Sequence, residues 1–201
     1  MPRALIVVDV QRDFVEGGNL PVEGGIATAR NICSYVLAHH AEYVTVVCSK
    51  DWHVYDSDNG GHIALIDKPD YKTTWPAHCV QGSAGADFVP HLSPMEWPGF
   101  YPSAQVFLKG RGTPAFSAFE GHNIAGQAMV TYLRRMKQIT DVDVCGIATD
   151  FCVRATWQAA KVLGFNVRLL VDLTAAVGGP NAIDTAIEEA VLAGVEVVRG
   201  I

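Results

Sequence analysis

Cys152 stands in Gly146-Ile147-Ala148-Thr149-Asp150-Phe151-Cys152-Val153, where an apolar run, Val142–Ile147, stops and a helical pattern starts at about Phe151. This predicts a cysteine in the first turn of a helix, just past the carboxyl end of a strand. Free N–H groups and partial positive charge at a helix N-terminus favour the thiolate, the nucleophilic form of cysteine. An unperturbed thiol, with a pKa of about 8.5, is only a few per cent ionised at neutral pH, so nucleophilic chemistry needs such help. Taken alone, Cys152 reads better as a small buried hydrophobe. Its company reverses that reading. Asp9 ends the first apolar run, with Asp13 and Phe14 in the loop beyond, and Lys109 directly follows Val106-Phe107-Leu108. A carboxylate can take a thiol proton, and an ammonium can stabilise the thiolate. Each also has an ordinary reading, Asp9 as a turn or capping residue and Lys109 as a solvated strand-end lysine.

A second group of residues could hold a metal. Lys50-Asp51-Trp52-His53 places a carboxylate and an imidazole at i and i+2, on one side of an extended segment. That is half of a divalent metal site. His62 and His78 bring the set to four donors within 28 residues. His39, His40, His91 and His122 read as surface histidines, the first two at a helix end where they favour the dipole. Gly110-Arg111-Gly112-Thr113-Pro114-Ala115 mimics a dinucleotide-binding fingerprint, but Pro114 breaks the required helix start and no helical period follows.

These residues need a scaffold. Strands are predicted at Ala4–Val10, Tyr43–Cys48, Val106–Leu108, Val142–Ile147, Val167–Val171 and Val195–Val198. Helices are predicted at Ile26–His39, Ala125–Gln138, Phe151–Leu163 and Ala182–Leu192, with Pro180 just before the last. Near-continuous apolar strands separated by helices imply a parallel sheet covered on both faces. The expectation is an α/β fold: a three-layer, doubly wound, Rossmann-like sheet of about six mainly parallel strands with right-handed crossovers. Residues 1–201 read as a single domain, and Ser49–Gln105, rich in Gly, Pro, Asp, His and Trp, reads as an irregular functional segment.

The totals bound what the chain can be. Its 201 residues, 49% hydrophobic and 18% charged, suffice for one substantial core. A net charge of −6 argues against nucleic acid as a partner. No apolar run reaches the roughly 18 residues of a membrane span, so no membrane association is expected. Five scattered cysteines form no disulfide framework, and Met1–Asp9 lacks the pattern of a signal peptide; both point to a reduced, cytoplasmic protein.

The residues above match a known pattern. Ala4-Leu5-Ile6-Val7-Val8-Asp9-Val10-Gln11-Arg12-Asp13-Phe14, Lys50-Asp51-Trp52-His53, Thr74-Trp75-Pro76-Ala77-His78-Cys79, Leu108-Lys109-Gly110, Phe116-Ser117-Ala118-Phe119 and the Cys152 segment together resemble the nicotinamidases (also called pyrazinamidases) of the isochorismatase-like cysteine hydrolases. The resemblance spans essentially the whole chain. It implies an amidohydrolase that converts nicotinamide to nicotinate and ammonia, with pyrazinamide as a second substrate, through a cysteine thioester. It implies Asp9 as general base, Lys109 as its support and Cys152 as nucleophile. It implies one divalent metal ion on Asp51, His53 and His78, with His62 as a fourth ligand in some members; zinc, iron and manganese suit such donors equally. It also implies a cis peptide between Ile147 and Ala148, an oxyanion hole from the N–H groups of Ala148 and Cys152, and a pocket walled by Phe14 and Trp75, with Ile147, Phe116 and Phe151 beside them. A pyridine ring nitrogen is a suitable ligand for the metal. The partner is then a small amide, and a homo-oligomer stays open.

Three departures from the family stand out. The His53-to-His62 spacing is longer than in four-ligand members. Phe151 and Phe116 replace a histidine and a tyrosine carried by some relatives. Pro94–Pro102 looks like extra loop. Another amidase or carbamoyl hydrolase of the superfamily, and a non-catalytic binding domain on the same fold, are the alternatives. The metal-ligand set argues against the first and the intact Asp9, Lys109 and Cys152 against the second.

Overall fold

A computed structural model describes all residues except 91, 93–96 and 98–104. Its centre is a six-stranded sheet in the order β3-β2-β1-β4-β5-β6, every pair parallel. The strands are β1 (Arg3–Val8), β2 (Thr45–Asp51), β3 (Val106–Lys109), β4 (Asp141–Ile147), β5 (Asn166–Ala175) and β6 (Glu196–Val198). The chain winds outward from β1 in one direction, crosses back and winds outward from β4 in the other. The order reverses between β1 and β4, and a crevice opens at their carboxyl ends, where open α/β sheets bind ligands.

The alternation along β1 builds both faces. Leu5 and Val7 enter one core with Ala29, Ile32 and Val36 of α1 (Gly25–His39). Ala4, Ile6 and Val8 enter the other. That second core takes Met129 from α2 (Met129–Thr131, continued by a π-helical stretch, Tyr132–Met136). It also takes Trp157 and Ala160 from α3 (Arg154–Val162) and Ala190 from α4 (Gly179–Leu192). Helices therefore cover both faces, but unevenly. Beside α1, the irregular segment between β2 and β3 fills the layer with Cys79, Ala86, Val89, Leu92 and Trp97.

Several boundaries differ from the sequence reading, each for a local reason. The helix predicted from Ala125 starts at Met129, because the Asn123 carboxamide accepts from the N–H groups of Ala125 and Gln127 (3.1 and 2.9 Å) and Gly126 turns at φ +75°. β2 starts at Thr45 and continues past Cys48 through the polar Ser49-Lys50-Asp51, and β5 continues past the charged Asp172 to Ala175. The helix predicted from Phe151 begins at Thr149 as a π-helical turn, Thr149–Val153, before α3. Pro94–Pro102, apart from Trp97, and His91 lie outside the described residues. Among those described, no helix is long and apolar enough to cross a membrane.

Candidate active site

Strand register brings the charged groups together. Asp51 and Lys109 are paired residues at the ends of β2 and β3, so their side chains leave the sheet side by side. Asp9 follows β1 at φ +48°, a backbone region that aspartate tolerates better than most residues. The Lys109 ammonium is completely buried. It pairs with Asp9 Oδ2 at 2.9 Å, with Asp51 Oδ1 in a very short contact, and donates to the Ala115 carbonyl at 3.2 Å. Cys152 Sγ lies 3.7 Å from the same nitrogen. Ser49 donates to the second oxygen of Asp9 at 2.7 Å. Burial opposes the charge on Lys109, but the two carboxylates outweigh it and hold its pKa well above the ordinary value.

The nucleophile segment is built on the π-helical turn, a feature that recurs at functional sites. The Ile147–Ala148 peptide is cis. The Ala148 carbonyl accepts from the N–H groups of Phe151 and Val153, on either side of Cys152. Cys152 is the fourth residue of the turn, within the stretch whose N–H groups lack an intrahelical acceptor. Thr156 holds the segment from behind, donating to the Cys152 carbonyl at 2.7 Å and accepting from the Ala118 N–H at 2.9 Å.

The thiol departs from the sequence expectation. Burial raises the pKa of Cys152 well above its ordinary value; Asp9 and Asp51 add to this and Lys109 only partly offsets it. The helix start therefore does not leave a free thiolate, and the thiol needs a base. Burial also raises Asp9, against the pull of Lys109 and Ser49.

The metal-ligating candidates form the adjoining wall. Ligand atoms of His53, His62 and His78 lie within 4.8 Å of one another. Asp51 Oδ2 is 3.7 Å from Nε2 of both His53 and His78. Nδ1 of His53 meets the Gly110 carbonyl at 2.9 Å, and Nδ1 of His78 meets the Pro76 carbonyl at 2.7 Å. Carbonyls only accept, so both rings donate from Nδ1, which leaves Nε2 of each turned toward Asp51. His53 Nε2 is buried with no hydrogen-bond partner. His62 joins the others despite its distance in sequence, its ring centroid 4.9 Å from that of His53. Burial and the neighbouring histidines lower its pKa to about 4, so it is neutral and able to ligate.

The cavity beside these groups is lined mainly by apolar side chains, among them Phe14, Trp75, Phe116, Ile147, Phe151 and Cys152. Trp75 and Phe151 meet edge to face, centroids 5.0 Å apart, and Phe116 meets His62 similarly at 5.5 Å. Sequence reasoning missed Leu20, Val22 and Val177 on the same wall. It also missed Ser49, whose only signal is a hydroxyl near the end of a predicted strand. His39 and His40 are half-buried and His122 is exposed, all away from the site. Gly110 and Gly112 turn at positive φ and no helix starts in residues 111–116, which fits rejection of the dinucleotide fingerprint.

Comparison with known proteins gives this geometry a context. The family model described as Isochorismatase domain matches residues 3–200. The chain is 47% identical over 198 residues to the nicotinamidase/pyrazinamidase of Mycobacterium tuberculosis, covering 98% of each. It is 31% identical over 182 residues to the nicotinamidase of Escherichia coli, covering 85% of this chain and 82% of the relative. The pyrazinamidase of Pyrococcus horikoshii, solved in complex with zinc, superposes with a TM-score of 0.79 at 31% identity, with all of both chains covered.

Proposed function

The chain belongs to the isochorismatase domain family, and from that premise we propose that it hydrolyses nicotinamide to nicotinate and ammonia, and pyrazinamide in the same pocket. The observation that carries this reading is the convergence of Asp9, Lys109 and Cys152 at the sheet's switch point, beside a buried carboxylate–histidine cluster. The relatives named nicotinamidase support the substrate class. The family match across the chain supports reading residues 1–201 as one working unit.

In this mechanism Asp9 removes the Cys152 proton as sulfur attacks the amide carbonyl. Its raised pKa suits a base that must later return the proton. Lys109 stays charged and steadies both the carboxylate and the developing thiolate. The oxyanion of the tetrahedral intermediate accepts from the N–H groups of Ala148 and Cys152, each such donor lowering the barrier by about 3–4 kcal/mol. The C–N bond breaks, and ammonia leaves with the proton held by Asp9. A water then gives its proton to Asp9 and attacks the thioester. Sulfur departs and recovers that proton, releasing nicotinic acid, which ionises to nicotinate in water.

Asp51, His53, His62 and His78 would hold a divalent metal ion. The buried, unpartnered Nε2 of His53 and the neutral His62 fit a cation. When bound, the ion supplies a Lewis-acidic point that a pyridine nitrogen can ligate, which orients the ring. Zinc, iron and manganese all suit this donor set. The P. horikoshii relative is described with zinc. The aromatic walls, Phe14, Trp75, Phe116 and Phe151, take the ring's faces and edge.

The test is ammonia release from nicotinamide by metal-replete protein, with chelator-treated protein and Cys152→Ala as controls. Release that needs both the metal and Cys152 is expected. Residual turnover by Cys152→Ala within about tenfold of wild type would remove Cys152 from the nucleophile role.

A further inference from the structure

Gln11 and Asp13 take no part in the steps above, yet both are buried in the loop after β1 with their polar atoms engaged. The Gln11 side chain pairs with Asp51 as one peptide pairs with another. Its Oε1 accepts from the Asp51 N–H at 2.8 Å, and its Nε2 donates to the Asp51 carbonyl at 2.9 Å. The second hydrogen of Nε2 goes to the Ala86 carbonyl at 3.0 Å. Asp13 Oδ2 accepts from the Cys79 N–H at 2.7 Å, and Oδ1 accepts from the Asn19 N–H at 3.1 Å.

Cys79 is the residue after His78 and sits at φ +46°, where an L side chain rarely lies. Its carbonyl accepts from the His53 N–H at 3.0 Å. One residue, Cys79, therefore ties the His53 and His78 segments to each other through its carbonyl and, through its N–H and Asp13, to the β1 loop. A Cβ on Gly85 would lie 2.1 Å from Asp13 Oδ2, so the carboxylate is held on that side by direct packing. His62 is held separately, its carbonyl accepting from the Trp75 N–H at 2.9 Å.

We propose that Gln11 and Asp13 are positioning residues for the metal pocket: Gln11 fixes the backbone of Asp51, and Asp13 fixes the backbone of Cys79, the residue that joins the His53 and His78 segments. The inference rests on the metal reading above. A buried side chain that satisfies both backbone groups of one ligand residue leaves that residue a single orientation. Outer partners of this kind set metal affinity through the ligands they orient, with losses of about 10- to 100-fold on their removal.

The test uses metal-free full-length protein, titrated with Zn(II) against a chromophoric chelator. The visible spectrum of the Co(II)-loaded protein reports ligand geometry. Wild type is compared with Gln11→Met, Asp13→Asn and Leu133→Ala, the last a buried core change on the opposite face of the sheet. At least tenfold weaker zinc binding and an altered cobalt spectrum are expected for Gln11→Met and Asp13→Asn. Leu133→Ala is expected to lose thermal stability but to keep wild-type metal values. Unchanged affinity and spectra in Gln11→Met and Asp13→Asn overturn the proposal, and so does an equal loss in Leu133→Ala. If Gln11→Met does not fold, Asp13→Asn decides. Wild-type protein that binds no zinc overturns the metal reading and the proposal with it, whereas wild-type binding with unaffected variants overturns the proposal alone.

Discussion

Ser49 is a single hydroxyl, but it donates to Asp9, the carboxylate proposed above as the base. Asp9 has to be ionised to receive the thiol proton, so activity falls as pH drops through its pKa. Burial raises that pKa above the ordinary aspartate value of 3.8, and the Ser49 hydrogen bond works in the opposite direction. Ser49→Ala is therefore expected to move the acid limb of kcat/KM to higher pH, measured as a pH profile on nicotinamide; a limb that stays put or moves lower contradicts the role given to Asp9 or to Ser49. The histidines differ in the same way. His53 is anchored through Nδ1 to the Gly110 carbonyl, while Nδ1 of His62 has no partner. His62→Ala should thus cost less metal affinity than His53→Ala, and equal losses in a chelator competition would refute that order. At this scale the chemistry was legible wherever it rode on a strand end. Asp9 and Lys109 were singled out because apolar runs stop beside them, and Asp51 because a histidine follows it at i+2. Ser49 and Gln11 were not, because their value lies in one hydrogen-bond partner that is remote in sequence.

The elements place these residues through register and close approach. β1 and β4 pair with Val8 opposite Gly146, directly below the positions of Asp9 and the Cys152 turn. Gly146 sits at φ +119°, and a Cβ there would lie 2.1 Å from the Val8 carbonyl oxygen. No side chain fits without parting the two central strands. Gly146→Ala is expected to destabilise the fold by about 2–4 kcal/mol, measured by urea unfolding; a loss under about 0.5 kcal/mol, the range of a neutral surface change, would show that β4 relaxes freely there. The sequence carried the alternation of strands and helices clearly. It carried their ends poorly where polar residues are structural rather than terminal. Ser49-Lys50-Asp51 looks like a strand terminus and is a strand, because Ser49 and Asp51 are engaged by the buried cluster and Lys50 by Asp87 and the rings of Trp52 and Phe88. Ala125–Ala128 looks helical by period and is a turn, because Asn123 offers the backbone a better partner.

Across the whole molecule the two ends of the sheet divide the work. The carboxyl ends of the strands hold the charged cluster around Lys109, and the amino ends hold a second one around Asp143. The Asp143 carboxylate is fully buried on β4. It accepts from the Tyr43 hydroxyl at 2.7 Å and from Arg168 Nε at 2.8 Å, and pairs with Arg3 in a short contact. These partners come from β1, β5 and the residues before β2, so one carboxylate stitches four segments. Asp143 lies outside the crevice at the carboxyl ends of the strands, and its charge serves packing rather than chemistry. Asp143→Ala would take the carboxylate from Arg168, and would leave Arg3 with Asp141 alone at 3.5 Å and the Tyr43 hydroxyl with that of Tyr35 alone at 2.8 Å. Both arginines are about a quarter exposed, with side-chain accessibilities of 24% and 26%, so water recovers part of the loss. A destabilisation of about 2–3 kcal/mol is expected, at the lower end for a broken buried pair. For a chain of this length that corresponds to a melting midpoint lower by about 4–12 °C. Below that midpoint kcat on nicotinamide should stay within about twofold of wild type, since Asp9, Lys109 and Cys152 sit at the other end of the strands. A calorimetric scan and a turnover assay on the same preparation separate the two effects. A fall in kcat that parallels the fall in stability would show that strain crosses the sheet, and that the two clusters are one coupled system.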